Sequence, residues 1–247
     1  MKITALTTAC NRPEAWKLSE AYMRRQTRQP DQWLVIDDDD PPTACTMGQE
    51  YIYDPTCRDP KVSSLVMKLR LAFRGNLVKG DIVVFWENDD WYAPNWIETC
   101  ENALKTNYTT IFGEGRAIYY NVKERWWYEH VNMEHCSLCS TAIRSENFTL
   151  LSSLLEDPNP FVDSRLWERT RTGRRKIIDP LGNAGKRQVL GIKAMPGRQG
   201  YGGGHIEKDR GAHPDHDLKK LISLIGPDSS SYENFFRIYQ KPTNKIP

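Results

Sequence analysis

Apolar and polar positions alternate in two distinct rhythms over the first hundred residues. Lys2–Thr8 alternates and is β-branched, which predicts a strand. Asn11-Arg12-Pro13 then makes a turn, with the proline placed to begin a helix reaching about Gln26. Pro30 closes that region. Gln32–Ile36 reads as a second, buried strand ended by Asp37-Asp38-Asp39-Asp40-Pro41-Pro42. Residues 41–60 are broken by proline and glycine and show little periodicity, so a loop is expected. Leu65, Leu69, Phe73 and Leu77 recur every four residues and mark the core face of a helix from about Ser63 to Val78. Gly80 ends it, and strand Asp81–Trp86 follows.

A β-α-β-loop-α-β order implies right-handed crossovers and a parallel sheet, hence an α/β fold. Each of the acidic runs Asp37–Asp40 and Glu87–Asp90 follows a strand, so both face one edge of that sheet, where ligands bind in α/β proteins. A helix is expected from Asn95 to about Lys105, with Ile97, Cys100 and Leu104 inward. Short strands at Thr109–Phe112, Ala117–Asn121 and Arg125–Tyr128 look more antiparallel. Beyond them, Asp163–Arg171 reads as a helix, Val189–Lys193 as a strand, Pro196–His205 as a glycine-rich loop and Asp215–Ile225 as a last helix.

Composition narrows the class. At 247 residues the chain is long enough for one large α/β domain. No apolar stretch approaches the ~20 residues that span a bilayer, and the amino terminus lacks a signal-peptide pattern, so a soluble, cytoplasmic protein is expected. The six cysteines are scattered, and an intracellular chain of this size needs no disulfides. His135-Cys136-Ser137-Leu138-Cys139 offers one CxxC without the further ligands of a structural zinc site. A net charge of +2 does not by itself imply nucleic acid, but Arg165–Lys176 carries six basic residues against one acid. Such a run is commonly a solvated helix face and otherwise a phosphate-binding surface.

The acidic knot carries the sharpest chemistry. Carboxylates crowded at a strand end repel unless a cation offsets them. Hard divalent ions such as Mg²⁺ or Mn²⁺ bridge carboxylates to a substrate phosphate. The alternative is a solvated acidic turn.

Thr7-Thr8-Ala9-Cys10-Asn11-Arg12, Val35-Ile36-Asp37-Asp38 and Lys79–Asp90 together resemble the family 2 glycosyltransferases of GT-A fold, most strongly over residues 1–100. The resemblance implies one GT-A (nucleotide-diphospho-sugar transferase) domain over 1–247. Its mostly parallel central sheet would be flanked by helices, with a smaller antiparallel acceptor-side portion. Residues 1–105 would form the nucleotide-sugar half, 106–210 the acceptor and catalytic half, and 211–247 the final helix and tail. Donor contacts are implied for Thr8, Asn11, Arg12, Asp37, Asp38, Lys68, Glu87, Asn88 and Arg198. Glu87-Asn88-Asp89 stands in the D-x-D position, with Glu in place of the first Asp. Asp89 and the late His205 are the implied metal ligands. Asp163, opening a helix after Val162 where the family often has a second acid, is the implied catalytic base, and an ordinary helix cap is the alternative. A UDP-sugar donor and a divalent metal (Mn²⁺ or Mg²⁺) follow.

A sugar nucleotidyltransferase is disfavoured because Thr7–Pro13 has no glycine, and a P-loop NTPase because its motif is absent. A non-catalytic nucleic-acid-binding protein would leave both acidic strand ends idle. Chain length and the Met195-Pro196-Gly197-Arg198 segment resemble small phage-type glycosyltransferases, some of which act on hydroxymethylated pyrimidines in DNA. DNA is therefore the leading acceptor, held by the Arg165–Lys176 run, in the host cytoplasm if phage-encoded; Trp126, Trp127 and Tyr128 either stack on a base or, as such residues more often do, pack in the core or on a sugar. A surface polysaccharide is the alternative.

Overall fold

Alternation along the central strands splits the core into two layers. In β1 (Ile3–Thr8), Ile3 and Ala5 join one buried cluster while Leu6 joins the other. Likewise Ile82 and Val84 of β4 (Ile82–Phe85) face one side, and Val83 and Phe85 the other. Side chains alternate faces along a strand, so a sheet covered on both sides reads as an unbroken apolar run. The computed structural model describes residues 1–183, 186–200, 211–233 and 235.

The remaining strands are β2 (Gln32–Asp37), β3 (Glu50–Tyr53), β5 (Trp91–Tyr92), β6 (Ile111–Glu114), β7 (Ala117–Asn121), β8 (Trp126–His130), β9 (Thr141–Arg144), β10 (Arg175–Ile178), β11 (Val189–Lys193) and β12 (His213–Pro214). Seven strands build the central sheet in the order β10-β6-β9-β4-β1-β2-β3. Strands β1, β2, β3 and β4 pair in parallel, β10 pairs in parallel with β6, and β9 runs against both β4 and β6. A second sheet, β12-β8-β7-β11-β5, is antiparallel except where β11 meets β7.

Helices α1 (Pro13–Arg24) and α3 (Trp96–Leu104) cover one face of the central sheet together with the second sheet. Helices α2 (Ser64–Arg74), α4 (Phe148–Leu154) and α5 (Val162–Arg169) cover the other. Helix α6 (Lys219–Ile225) packs Leu221 and Ile225 into the first layer. Among the described residues, no helix is long and apolar enough to cross a membrane.

Several sequence expectations need correction. The region expected to be a loop contains β3, a partly exposed strand at the sheet edge that pairs with β2. Strand β9 and helix α4 were not foreseen. The basic run does not form one helix face. Its first part ends α5, and Arg175 and Lys176 begin β10. The last helix starts at Lys219 rather than Asp215, because the Asp215 carboxylate accepts from the N–H groups of Lys220 and Leu221 at 2.9 and 3.0 Å.

Candidate functional site

The parallel register brings the carboxyl ends of β1, β2 and β4 to one edge, and a charged cleft opens there. Its walls include Thr8, Cys10, Arg12, Ser64, Lys68, Glu87, Asn88, Asp89, Lys193 and Arg198. Buried ion pairs hold them. Arg12 meets Asp89 at 2.5 Å, and Lys68, fully buried, meets Asp38 at 2.7 Å. Arg198 spans Asp38 and Asp39 at 2.8 and 3.0 Å, and Arg58 reaches Asp39 at 2.9 Å. Asn88 donates to the carbonyl of Cys10 at 3.0 Å. Burial opposes the charge on Asp38, but the Lys68 ammonium outweighs it and lowers the pKa.

The loop carrying Arg198 is latched to the end of β1. Arg198 N–H donates to the Asn11 carbonyl at 2.7 Å, and Arg12 Nε donates to the Arg198 carbonyl at 2.8 Å. Gly197 makes this approach possible. It sits at φ +118, and a Cβ there would lie 2.1 Å from the Asn11 carbonyl oxygen. A shallower extension beyond Arg198 is lined by Asn11, Asp39, Asp40, Arg58 and Ser64.

A second cleft of about 400 Å³ adjoins the first, and Leu65, Glu87 and Lys193 line both. It is walled by Glu114, Tyr119, Tyr128, His130, Asn132, His135, Phe161 and Asp163. Tyr119 stacks on Tyr128 at 5.1 Å, while Phe161 stands exposed at the rim. Asp163 lies in the first turn of α5, and Phe161 rather than Asp163 occupies the cap position. Its Oδ1 accepts from the Ser164 N–H at 2.9 Å. Burial pushes its pKa up in spite of that hydrogen bond and the nearby His135. A carboxyl whose pKa is raised in this way is a better proton acceptor once ionised than an ordinary aspartate.

Residues 5–179 match the family described as Glycosyl transferase family 2. The chain belongs to that family. Among solved structures, it is similar to residues 1–349 of S. aureus TarS in complex with UDP, with a TM-score of 0.52 and 10% identity, covering 78% of this chain and 60% of that one. The longer S. aureus TarS structure gives 0.51 and 10%, covering 78% of this chain and 37% of the other. The chain thus spans well under two thirds of the TarS chains it matches. No curated protein sequence matches it. At such low identity the likeness speaks for the fold: a mixed α/β domain of GT-A type, as the sequence implies.

The positions expected to hold donor and metal divide into three groups. Thr8, Arg12, Lys68, Glu87, Asn88, Asp89 and Arg198 converge on the charged cleft, and Asn11 lines its extension. Asp38 stands behind them, paired with Lys68 and Arg198. Asp37 is differently employed. Its carboxylate accepts from the N–H groups of Asp39 and Thr43 and from Tyr51 Oη, at 2.7–2.9 Å. That holds the loop after β2. His205 lies outside the described residues.

The fit of a divalent metal can be judged from the charges present. Glu87 is half-buried beside the buried Asp90, and desolvation followed by repulsion from Asp90 and Asp89 raises the pKa of Glu87 well above the carboxylate range. Asp90 is pushed up to about 6, chiefly by burial. Asp90 Oδ2 has no hydrogen-bond partner among the described residues, and ligand atoms of Glu87, Asp90 and Cys139 lie within 4.8 Å of one another. Even with Lys193 nearby, the pKa values of Glu87 and Asp90 stay raised, and such a donor set suits a cation. His135 and Cys136 do not join Cys139 in a ligand cluster, so the CxxC forms no zinc site with them among the described residues.

Lys193 escaped the sequence reading. It ends β11, is buried, and feels the charges of Asp90, Asp89 and Glu87, with the Tyr119 ring 5.0 Å from its ammonium. Burial opposes its charge, yet those carboxylates hold its pKa up. An isolated lysine in a predicted core strand gives no sign of this role. Glu114 was missed too. It accepts from Gln188 N–H at 2.7 Å beside Arg187, and burial raises its pKa to about 7.

Proposed function

We propose that the chain transfers a sugar from a nucleoside diphosphate sugar to an acceptor hydroxyl, with inversion at the anomeric carbon. The observation that carries this reading is the shared wall. A cation-lined cleft and a carboxyl-bearing cleft meet at Leu65, Glu87 and Lys193, with Asp163 on the side away from Arg12 and Lys68.

The chain's own groups then divide the work. Arg12, Lys68 and Arg198 form a cationic bed for the diphosphate, and Asn11, Asp38, Asp39 and Arg58 border the nucleoside end. Asp163 takes the proton of the acceptor hydroxyl. The acceptor oxygen attacks the anomeric carbon opposite the diphosphate, the bond from that carbon to the phosphate oxygen breaks, and the electron pair leaves with the diphosphate. Asp89, with Glu87 and Asp90 beside it and His205 as a further ligand, would hold Mn²⁺ or Mg²⁺. Bound there, the metal neutralises charge on the departing diphosphate. Because TarS was crystallised with UDP, a UDP-sugar is the donor proposed.

The finer proposal for the acceptor is a hydroxymethylated pyrimidine in DNA. Tyr119, Tyr128 and Phe161 supply aromatic walls against which a flipped base could stack, with Asp163 beside them. The basic run lends less support than its composition suggests. Arg165 donates to the carbonyls of Leu154 and Asn159 and pairs with Asp157, while Arg174 and Arg175 donate to the carbonyls of Asn107 and Thr170. These guanidinium groups brace loops as well as carrying charge.

The test is UDP release from UDP-glucose and other UDP-sugars with Mn²⁺, without acceptor and then with unmodified or hydroxymethylated DNA. Donor turnover with sugar incorporation only into the modified DNA is expected. Turnover without incorporation would leave the enzyme reading standing and move the acceptor to a polysaccharide. Absence of nucleotide-sugar binding and turnover would sink the reading itself.

A further inference from the structure

In any such transfer the moving sugar must be reached from two sides at once. Diphosphate leaves on one side and acceptor arrives on the other, so the sugar lies where the two clefts meet. The residues lining both clefts are Leu65, Glu87 and Lys193. Their chemistry is complementary to a hexose face. Leu65 offers an apolar surface for C–H groups, Glu87 an acceptor, and the Lys193 ammonium three donors. A hydroxyl both donates and accepts, so an ammonium and a carboxyl side by side can satisfy a single hydroxyl in both senses.

Lys193 is also built for precision rather than for general attraction. Its strand is locked to β7 through Ile192↔Tyr120 and Lys193↔Asn121, and the Ile192 N–H donates to Asp90 at 2.7 Å. Its stem is buried, and its ammonium is offset by nearby carboxylates, Asp90 foremost. An ammonium offset in this way adds little net field for a distant phosphate, whereas its N–H groups remain directional. Arg12, Lys68 and Arg198 line the charged cleft without lining the second one, so they are placed for diphosphate.

We propose that Lys193 is a specificity-determining residue that, with Glu87, reads a hydroxyl of the transferred sugar. This rests on the nucleotide-sugar reading above. It separates two parts of donor affinity: the nucleotide and diphosphate held by the cation bed, and the sugar held at the junction.

The experiment measures binding of UDP and of a panel of UDP-sugars (glucose, galactose and N-acetylglucosamine) by calorimetry with Mn²⁺, for the wild type and Lys193→Met. Thermal melting and circular dichroism report whether each variant folds. The wild type should bind its preferred UDP-sugar more tightly than UDP and discriminate among the sugars. Lys193→Met should keep UDP affinity within about twofold and lose about 10- to 100-fold of the sugar preference, as expected for a hydrogen bond to a charged group. Equal loss for UDP and UDP-sugar would make Lys193 a diphosphate cation and overturn the proposal. An unchanged sugar preference would reduce it to a structural partner of the carboxylates, with the same result. If Lys193→Met does not fold, Lys193→Arg keeps the charge but changes donor geometry, and the same two comparisons decide. A wild type that binds UDP but gains nothing from any sugar in the panel would also overturn it, whereas a wild type binding no nucleotide at all would bring down the underlying reading.

Discussion

The two clefts treat charge in opposite ways. On the donor side, three buried carboxylates are paired: Asp89 with Arg12, Asp38 with Lys68 and Arg198, and Asp39 with Arg58 and Arg198. On the acceptor side, Asp163 is half-buried with no ion pair among the described residues, and its pKa rises through desolvation. The difference suits their proposed tasks. Cations fixed by carboxylates are preorganised to meet a diphosphate without reorganising. A carboxyl starved of counter-charge holds a proton more readily and so serves as a base. The two environments meet at Leu65, Glu87 and Lys193.

The largest expected effect comes from removing the lone carboxyl. Asp163→Asn should lower kcat by roughly 10²–10⁴-fold with UDP-sugar affinity almost unchanged. A variant with wild-type kcat would erase the proposed contrast between the clefts. Breaking the paired side should show first in folding. Lys68→Met strands Asp38 as a buried, poorly compensated charge, and about 3–5 kcal/mol of stability should be lost in denaturant unfolding. A cost below about 1 kcal/mol would mean that Arg198 alone suffices to hold Asp38.

Metal dependence sharpens the middle ground between them. Asp89→Asn should weaken Mn²⁺ binding by at least about 10-fold, read by calorimetry alongside turnover. Undiminished binding would shift the metal toward Glu87 and Asp90. The smallest effect concerns pH. Glu114 has a folded pKa of about 7 against an ordinary 4.5, so the folded state binds its proton more tightly than the unfolded state does. Its contribution is fully present below pH 4.5 and is lost as pH rises through about 7. Glu114→Gln should flatten that part of the melting-temperature profile. Activity should move the other way, rising with pH as Asp163 ionises.

Much of the donor side was legible because it is local. Strands β1, β2, β4 and β11 advertise themselves as apolar runs, and the acidic residues that follow β2 and β4 reach the sheet edge by chain direction alone. The acceptor side is assembled from distant pieces. Strand β9 has four residues and becomes a strand by lying between β4 and β6. Strand β3 depends on β2 in the same way, and β10, hidden within a basic run, depends on β6. Short segments carry too few alternating positions to be told from loops, and pairing decides them.

The sequence by itself therefore determined the α/β class, the family resemblance, the carboxylate knot and most of the side chains expected at the donor that line the charged cleft. Each depends on spacing within a few residues or on the direction of one strand. Tertiary structure alone decided that Asp37 holds a loop, that Arg12 faces Asp89, and that Lys193 joins the carboxylates between the clefts. A buried lysine acquires its role from charges about a hundred residues away, and local pattern contains no record of them. Electrostatic partnership is set by distance in space, and the fold supplies that distance.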